Sequence, residues 1–426
     1  MPFKHFIPEA DTDDLLPMFG ELTKLVGWST WKRRIDSLRI ELKTNPFWDT
    51  YLTERYGLEM AFGDVHKYFR STNRLPWPPR TVEEFRLYGF MATFTRVHAL
   101  LTSGGQRKII GALTNCLEKD FGLGPLAFEM AVISHCLSRN FRIMFSDLDG
   151  NGGHDFLIVN ESLEIEVECK HVSGDIGRQI PLRSFFELGG TLGPEISRAV
   201  DVGNEGRLIQ VTLPERLSSN KAVQARLADQ ITAVLTGRSE PIDSTICTIT
   251  ERNFSLIGSP FSTSSRTDVT MKEVRSYLSR EHNIENRHVI VNWKPDRAAV
   301  VVEVQSIHDD KVLERIFRNL ADDAKKQFSH KRPAILCVHL SAVTEEQLIE
   351  LADAEKSGVQ TGLQRMISHL LHKRPHLHTV AVMTGGHIVQ STGEGAKTSF
   401  RENGPSYVFR NPDHPDANNP SVMNLF

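Results

Sequence analysis

The stretch Glu161–His171, with the sequence ESLEIEVECKH, constrains the fold more than any other part of the chain. Read with a period of two, it places a row of charged residues on one side of an extended strand: Glu164, Glu166, Glu168 and Lys170. Apolar residues take the other side, which is the pattern of any strand with one buried face. A solvated sheet face would explain this alternation alone, so a functional interpretation depends on the neighbouring sequence.

The sequence before this strand predicts a helix followed by two further strands. The helix is LAFEMAVISHCLSRN (126–140), and the strands are FRIMFSDL (141–148) and HDFLIV (154–159). Between the strands lies DGNGG, a turn composition. A helix followed by a three-stranded meander is therefore expected in this part of the chain.

The rest of the chain predicts a mixed α/β protein. Residues 1–110 show apolar spacings of three and four without alternation, which indicates helices. Helical segments later alternate with more predicted strands, and we expect these strands to extend one central sheet: 207–214, 287–293, 298–306, 334–341 and 379–385. Residues 401–426 are rich in Pro, Asn and Asp, which indicates an irregular, loosely packed tail.

The composition limits the class of protein. The chain has 426 residues, of which 40% are apolar and 24% charged, and its net charge of −3 excludes nucleic-acid binding through overall positive charge. No apolar run approaches the ~18 residues of a membrane helix, and the first residues lack the apolar core of a signal peptide. We therefore expect a cytoplasmic protein with no membrane partner. Five cysteines without CxxC spacing argue against a disulfide framework and against a cysteine-based zinc site.

Acidic and basic residues align with the predicted helix and meander. Asp155 begins the second strand, and Glu168 lies 13 positions later, near the end of the third. Because a short turn joins these strands, the two carboxylates can lie close together on neighbouring antiparallel strands. Such a pair suits a hard divalent cation such as Mg²⁺. Lys170 points to the same face as Glu168, where its ammonium can help to activate water or stabilise charge on phosphorus.

Glu129 is the polar exception in an apolar helix. A helix that is apolar all round is buried, and a buried carboxylate must be paired, protonated or bound to a metal. A salt bridge to an arginine and a role as a third metal ligand both stay open at this point.

The order of Glu129 on a helix, Asp155 on a strand and then the E-x-K element of Glu168 and Lys170 resembles the PD-(D/E)xK nuclease superfamily. The resemblance implies a restriction-endonuclease-like fold, in which helices flank a mixed central sheet, here with an all-helical N-terminal region. It covers residues 111–214.

The resemblance also implies roles for the individual residues. Asp155 and Glu168 would be metal ligands, the backbone carbonyl of Cys169 would add another, and Lys170 would be catalytic. Glu129 would correspond to the acid of the family's helix. One departure is that His154 stands where the family motif has proline.

Three regions follow from these patterns. Residues 1–110 would recognise substrate or a partner, residues 111–400 would form the nuclease-like domain with insertions, and residues 401–426 would form the tail. The expected activity is hydrolysis of DNA by a metal-activated water, with Mg²⁺ or Mn²⁺ as cofactor. Family analogy suggests a place in prokaryotic defence or restriction.

Two alternatives keep the fold and change the function. The chain could be a nucleic-acid-binding or assembly module without cleavage activity, or an RNA-processing nuclease with the same site. It contains no GxxxxGK[ST] loop, so any ATP hydrolysis or sensing would come from a partner protein. A homodimer is expected if a single-site enzyme cuts both strands.

Three other patterns suggest binding sites but also have structural explanations. DLDGNG (147–152) matches the first half of an EF-hand loop but has Ile158 where a bidentate Glu is needed, which favours a turn. Four histidines could bind zinc, but no cysteine or carboxylate lies at a spacing suited to complete a zinc site with them: His372, His376, His378 and His387. Aromatic residues near Lys32–Arg34 could form a base-stacking surface or a helical core, and helical spacing favours the core: Trp28, Trp31, Phe47, Trp48, Tyr51 and Tyr56.

Overall fold

The computed structural model describes residues 10–44, 49–119, 121–150, 152–160, 163–240, 242–262, 273–274, 276–278, 287–341, 345–383, 387–392, 397–403, 406–419, 422 and 425. The helices are α1 (Thr12–Val26), α2 (Trp28–Thr44), α3 (Asp49–Thr72), α4 (Val82–Leu100), α5 (Ser103–Glu118), α6 (Gly124–Ser138), α7 (Leu182–Val202), α8 (Lys221–Leu235), α9 (Val312–Lys326), α10 (Glu345–Lys356) and α11 (Gly362–Lys373). The strands are β1 (Ala10–Asp11), β2 (Arg142–Met144), β3 (Phe156–Asn160), β4 (Leu163–Val172), β5 (Gly206–Leu213), β6 (Ile242–Asp243), β7 (Thr248–Phe254), β8 (His288–Lys294), β9 (Ala298–Ser306), β10 (Ala334–Leu340), β11 (Leu377–Met383), β12 (His387–Thr392), β13 (Lys397–Asn403) and β14 (Ser406–Arg410).

The chain divides into two structural units. Unit 1 comprises residues 1–40, 52–174 and 313–426, and unit 2 comprises residues 41–51 and 175–312. The expected mixed α/β class is confirmed. The expectation of a single central sheet is wrong, because each unit contains its own mixed sheet.

The sheet of unit 1 has the strand order β14-β11-β10-β4-β3-β2. The predicted meander is confirmed, since β2, β3 and β4 pair antiparallel in succession after α6. Parallel pairing then joins β4 to β10 and β10 to β11, and β14 closes the far edge antiparallel to β11. Strand β4 is therefore central, with neighbours on both sides. A separate three-stranded sheet pairs β1, β13 and β12.

The N-terminal helices share one core with this sheet. Buried side chains of α1 to α6 form a single cluster with apolar residues of β3, β4 and β10, including Phe62, Phe94, Val167 and Ile335. The predicted boundary at residue 110 falls inside α5, and β1 is a strand within the region expected to be all-helical. Apolar helix faces pack against the nearest apolar sheet face, so residues 1–110 are not a separate domain.

Unit 2 contains the predicted strands that were expected to extend the central sheet. Its strand order is β6-β7-β5-β9-β8, with β5 and β9 parallel and the other pairs antiparallel. Helices α7 and α8 contribute apolar residues such as Leu188, Leu192 and Ile231 to a core on this sheet. Residues 175–312 therefore form an insertion with its own sheet, whereas the sequence analysis expected their strands to continue the sheet of unit 1.

The expected irregular tail differs from the structure in two respects. Ser406–Arg410 is strand β14, paired with β11. Beyond it, Val422 and Leu425 are buried in the core of unit 1, and the Leu425 carbonyl lies 2.6 Å from the His135 ring Nε2 on α6. A few apolar residues thus anchor a segment whose composition indicates loose packing.

Leu425→Ala is expected to lower the free energy of unfolding by about 2–4 kcal/mol, because the Leu425 side chain is fully buried. Urea denaturation of both proteins measures the difference. Val359→Ala is the matched control, since Val359 is 58% exposed and should change stability by less than about 0.5 kcal/mol. Equal stability of wild type and Leu425→Ala would contradict the docked tail.

Candidate metal and phosphodiester site

The strand register brings Asp155 and Glu168 together as the sequence predicts. Phe156 pairs with Val167, so Asp155, one residue earlier, stands opposite Glu168. The Asp155 carbonyl accepts backbone N–H bonds from Ser146 at 3.1 Å and Asp147 at 3.4 Å. Its carboxylate Oδ2 accepts the Cys169 N–H at 2.7 Å, which fixes the side chain against β4.

Glu168 and Lys170 form an ion pair on one face of β4. The Lys170 Nζ lies 2.7 Å from Glu168 Oε1 and 3.7 Å from Asp323 Oδ2. Glu168 is 2% exposed, and its second oxygen, Oε2, is buried without a hydrogen-bond partner among the residues that the structure describes. A buried carboxylate oxygen with no partner carries a desolvation penalty, so it is a position where a cation would be stabilised.

Burial raises the pKa of each carboxylate at this site. Burial raises the pKa of Glu168 to about 8, and the nearby charge of Asp155 adds to this, against the lowering effect of Lys170. Burial likewise raises the pKa of Asp155 to about 6, although the Cys169 N–H opposes it. Burial, followed by the charges of Asp155 and Glu168, raises the pKa of Glu129 well above its usual value. The single positive charge of Lys170 therefore does not bring the pKa values of these three acids back to their usual range.

Lys170 stays protonated in this environment. Burial lowers its pKa, but the charge of Glu168 and the hydrogen bond to it, with a further contribution from Asp323, outweigh that effect and leave the pKa raised. The ammonium is thus a permanent positive charge beside the two strand carboxylates.

Glu129 is positioned by the way in which α6 meets β4. The helix begins at Gly124, and a Cβ there would lie 3.0 Å from the His171 ring Nε2, so glycine permits the close approach. Glu59 of α3 accepts the N–H of Leu123, the N-cap residue of α6, at 3.1 Å. The charges of Asp155 and Glu168 contribute to the raised pKa of Glu129. Its role as a third metal ligand stays a prediction.

Glu59 itself should make the stability of the protein depend on pH. Burial raises its pKa to about 7, against the lowering effect of Arg34. Between pH 4.5 and 7 the unfolded state loses this proton before the folded state does, so the Glu59 contribution to stability falls as pH rises. Glu59→Gln keeps an acceptor for Leu123, and its stability relative to wild type should increase by about 3 kcal/mol from pH 4.5 to pH 8.

Denaturation of wild type and Glu59→Gln at both pH values measures this difference. Glu314→Gln is the control, since it makes the same chemical change on a side chain that is 54% exposed. The same behaviour in both variants would contradict the role assigned to Glu59.

The backbone N–H of Cys169 donates a hydrogen bond to the Asp155 carboxylate. That the Cys169 carbonyl is a metal ligand stays a prediction. Burial and a hydrogen bond with the Cys337 side chain on β10 raise the pKa of the Cys169 thiol well above its usual value. The thiol is therefore a neutral core group, and only the Cys169 backbone can serve the site.

Asp323 is the residue at this site that the sequence interpretation missed. It lies on α9, whose buried residues are Ile316, Leu320 and Ala324. Asp323 follows Leu320 by three positions and Ile316 by seven, so it shares the buried face of the helix. That spacing is the signal that could have identified Asp323 as an inward-facing carboxylate.

The row of charge on β4 is divided between two roles. Glu166 is fully buried and accepts hydrogen bonds from the Ser329 N–H at 2.8 Å and from the Ser329 hydroxyl, with Arg332 Nη1 at 3.5 Å. Glu164 pairs with Arg332 at 2.7 Å. Both are satisfied structural groups, and only Glu168 and Lys170 belong to the site.

The donor chemistry of the site fits a hard divalent cation. Asp155, Glu168 and Glu129 supply carboxylate oxygens, the ligands that Mg²⁺ and Mn²⁺ prefer, and the Glu168 Oε2 has no partner among the described residues. As they stand, no three of the described His, Cys, Asp or Glu side chains are grouped closely enough to hold a metal ion.

The other candidate motifs have structural partners. Asp149 Oδ1 accepts the Thr102 hydroxyl at 2.7 Å, and the Asp147 carbonyl accepts Lys108 Nζ at 2.6 Å, so DLDGNG forms a packed turn up to residue 150; Asn151 lies outside the described residues. His378 is buried, with Nε2 2.9 Å from the Asp416 carbonyl. Trp31 is a core residue stacked on Phe62, whereas Phe47 and Trp48 lie outside the described residues.

Comparisons with known proteins add no assignment. No family model, no curated protein and no solved structure matches this chain. Within the described ranges, no helix combines the length and apolar character needed to cross a bilayer.

Proposed function

We propose that the protein hydrolyses phosphodiester bonds in DNA with a divalent cation, Mg²⁺ or Mn²⁺, held at Asp155 and Glu168. The observation that carries this proposal is the buried Glu168 Oε2, which has no hydrogen-bond partner among the described residues and belongs to a carboxylate whose pKa is raised by burial and by the charge of Asp155, beside a protonated lysine. Perturbed carboxylates with one specific charge partner are a signature of functional sites.

The residues present would take distinct roles. Asp155 and Glu168, with Glu129 and the Cys169 carbonyl, would hold the cation, and such an ion acidifies water and neutralises charge on a phosphate. The Cys169 N–H holds the Asp155 carboxylate in place. Lys170 would donate from its ammonium to a phosphate oxygen, and would thereby stabilise the charge that develops in the transition state.

Asp323 supports Lys170 as a positioning residue. Its carboxylate lies 3.7 Å from the Lys170 Nζ and helps to keep the pKa of that lysine raised. Asp323→Asn is expected to lower the cleavage rate about tenfold. The alkaline limb of the pH–rate profile should also move to lower pH, because Lys170 loses its proton more readily. Asp322→Asn, the exposed neighbour on α9, is the control; a rate loss without a shift of the alkaline limb would contradict this role.

The choice of DNA rests on the resemblance of Glu129, Asp155, Glu168 and Lys170 to the PD-(D/E)xK motif, as does a place in prokaryotic defence. The test is parallel incubation of the full chain with supercoiled plasmid, linear duplex DNA, single-stranded DNA and RNA, each with Mg²⁺, Mn²⁺ or EDTA. We expect metal-dependent cleavage of DNA. Faster cleavage of RNA under the same conditions would replace DNA by RNA as the substrate.

A second candidate is a nuclease-like module that binds nucleic acid without cutting it. The direct 2.7 Å ion pair between Lys170 and Glu168 favours it, because this contact occupies a carboxylate oxygen that a metal would need. Nucleic-acid binding with no cleavage under any divalent cation, and no binding of Mn²⁺ by calorimetry, would support the module and contradict the enzyme.

A further inference from the structure

A basic pocket lies between α2 and α3, outside the carboxylate site. Its volume is about 260 Å³, and its lining residues are Trp28, Lys32, Ile35, Asp36, Arg39, Gly63, His66, Lys67 and Arg70. All belong to unit 1. The pocket carries four cationic residues against one carboxylate in a chain whose net charge is −3, so it is a local concentration of positive charge.

Close packing of the two helices forms the floor of this pocket. A Cβ on Gly63 would lie 2.8 Å from Ile35 Cγ2, so glycine is needed where α3 meets α2. Ile35, Phe62 and Val65 belong to the core that also contains Val167 of the site strand. The pocket is therefore part of the same packed unit as the carboxylate site.

An aromatic surface lines one end of the pocket. The rings of Trp28 and His66 stack in parallel, with centroids 3.5 Å apart and an interplanar angle of 11°. Trp28 remains part-exposed, so its indole is accessible from the pocket. Burial, followed by the charge of Arg70, holds the pKa of His66 below its usual value, which favours a neutral stacked ring. Flat aromatic surfaces of this kind stack with nucleobases irrespective of sequence.

The cations around the pocket divide into paired and unpaired groups. Lys32 pairs with Asp36, and Arg39 with Asp64 at 2.9 Å. Lys67 and Arg70 are exposed and form no ion pair among the residues that the structure describes. They lie three positions apart on α3, on the same face of the helix, where they can contact successive phosphates.

We propose that this pocket binds an unpaired nucleotide of a DNA strand, with the base stacked on Trp28 and the flanking phosphates held by Lys67 and Arg70. The pocket is smaller than the roughly 300–1,000 Å³ sites that enclose a drug-sized ligand, which suits one inserted base whose backbone continues outside. The choice of DNA as the polymer rests on the proposed function, whereas the pocket chemistry requires only an unpaired nucleotide.

The test is fluorescence anisotropy of a labelled oligothymidylate with the full chain in EDTA, where no metal-dependent cleavage occurs. Lys67→Ala/Arg70→Ala should weaken binding by tenfold or more. It should also reduce the slope of log K against log salt concentration by about 1.4, because two phosphate contacts are lost at about 0.7 each. The matched control is Lys221→Ala/Arg226→Ala, two exposed cations on α8 of unit 2, which should change neither value.

The aromatic part of the proposal has its own variants. Trp28→Ala should weaken binding about tenfold, and Trp28→Phe should restore most of it, because a phenyl ring still stacks. Thermal denaturation of both variants separates loss of stacking from loss of fold. Equal binding by wild type and Trp28→Ala, or equal losses in the α3 and α8 double variants, would overturn the proposal.

Competition identifies the ligand. Unlabelled single strand should compete far better than duplex DNA, oligouridylate or thymidine monophosphate at equal nucleotide concentration. Stronger competition by any of the other three would overturn the assignment to an unpaired DNA nucleotide. The outcome is independent of catalysis: binding that depends on Lys67 and Arg70 without any cleavage would contradict the proposed function alone, and cleavage with unchanged binding in the variants would contradict the pocket alone.

Discussion

Asp155→Asn is expected to abolish Mn²⁺ binding and to lower DNA cleavage by about three orders of magnitude. Asparagine is nearly isosteric with aspartate and its carbonyl oxygen can still accept the Cys169 N–H, so the β3–β4 connection should persist. The negative charge that attracts the cation is lost. Because burial already raises the pKa of Asp155 to about 6, the neutral side chain should not destabilise the metal-free protein.

Calorimetric titration with Mn²⁺ and a cleavage time course measure these effects. Asp353→Asn makes the same chemical change on a side chain that is 62% exposed on α10, and it should retain both activities within about threefold. Undiminished Mn²⁺ binding by Asp155→Asn would remove Asp155 from the metal site.

Lys170→Ala is expected to separate metal binding from catalysis. The rate of cleavage should fall by about 10²–10⁴-fold, because the ammonium that stabilises charge in the transition state is gone. Mn²⁺ should bind as tightly as in wild type or more tightly, since Lys170 Nζ no longer occupies Glu168 Oε1 at 2.7 Å. Mn²⁺ binding that persists in Lys170→Ala but is lost in Asp155→Asn would distinguish the lysine from the metal-binding carboxylates.

The control for Lys170→Ala is Lys326→Ala, which removes an exposed lysine from α9. It should leave both the rate and the Mn²⁺ affinity unchanged. Weaker Mn²⁺ binding by Lys170→Ala, in parallel with its loss of cleavage, would mean that the lysine supports the fold of the site and not the chemistry.

Local sequence patterns were sufficient to predict the centre of the site. The alternation in β4 predicts which of its residues share a face, and the antiparallel pairing of β3 with β4 places Asp155 opposite Glu168 with Lys170 on the same face. Each of these depends only on residues close together in the chain.

Long-range pairing could not be predicted in the same way. A strand rich in valine and isoleucine is equally compatible with either sheet, so the pattern of β9 indicates a strand but not its partner. In the sequence, residues 175–312 of unit 2 separate Lys170 from α9. The contact between Asp323 and Lys170 therefore depends on tertiary packing, which local patterns do not reveal. The burial of Val422 and Leu425 depends on a core surface that distant segments assemble.

The most direct test of the central claim is cleavage of supercoiled plasmid by wild type and Lys170→Ala, purified in parallel, with Mg²⁺ and with EDTA. We predict that wild type nicks or linearises the plasmid only with Mg²⁺, and that Lys170→Ala does neither although it still binds Mn²⁺. Equal cleavage by the two proteins would contradict the account by showing that the activity comes from elsewhere. No cleavage by wild type, together with no binding of Mn²⁺, would show that Asp155, Glu168 and Lys170 are not a catalytic metal site.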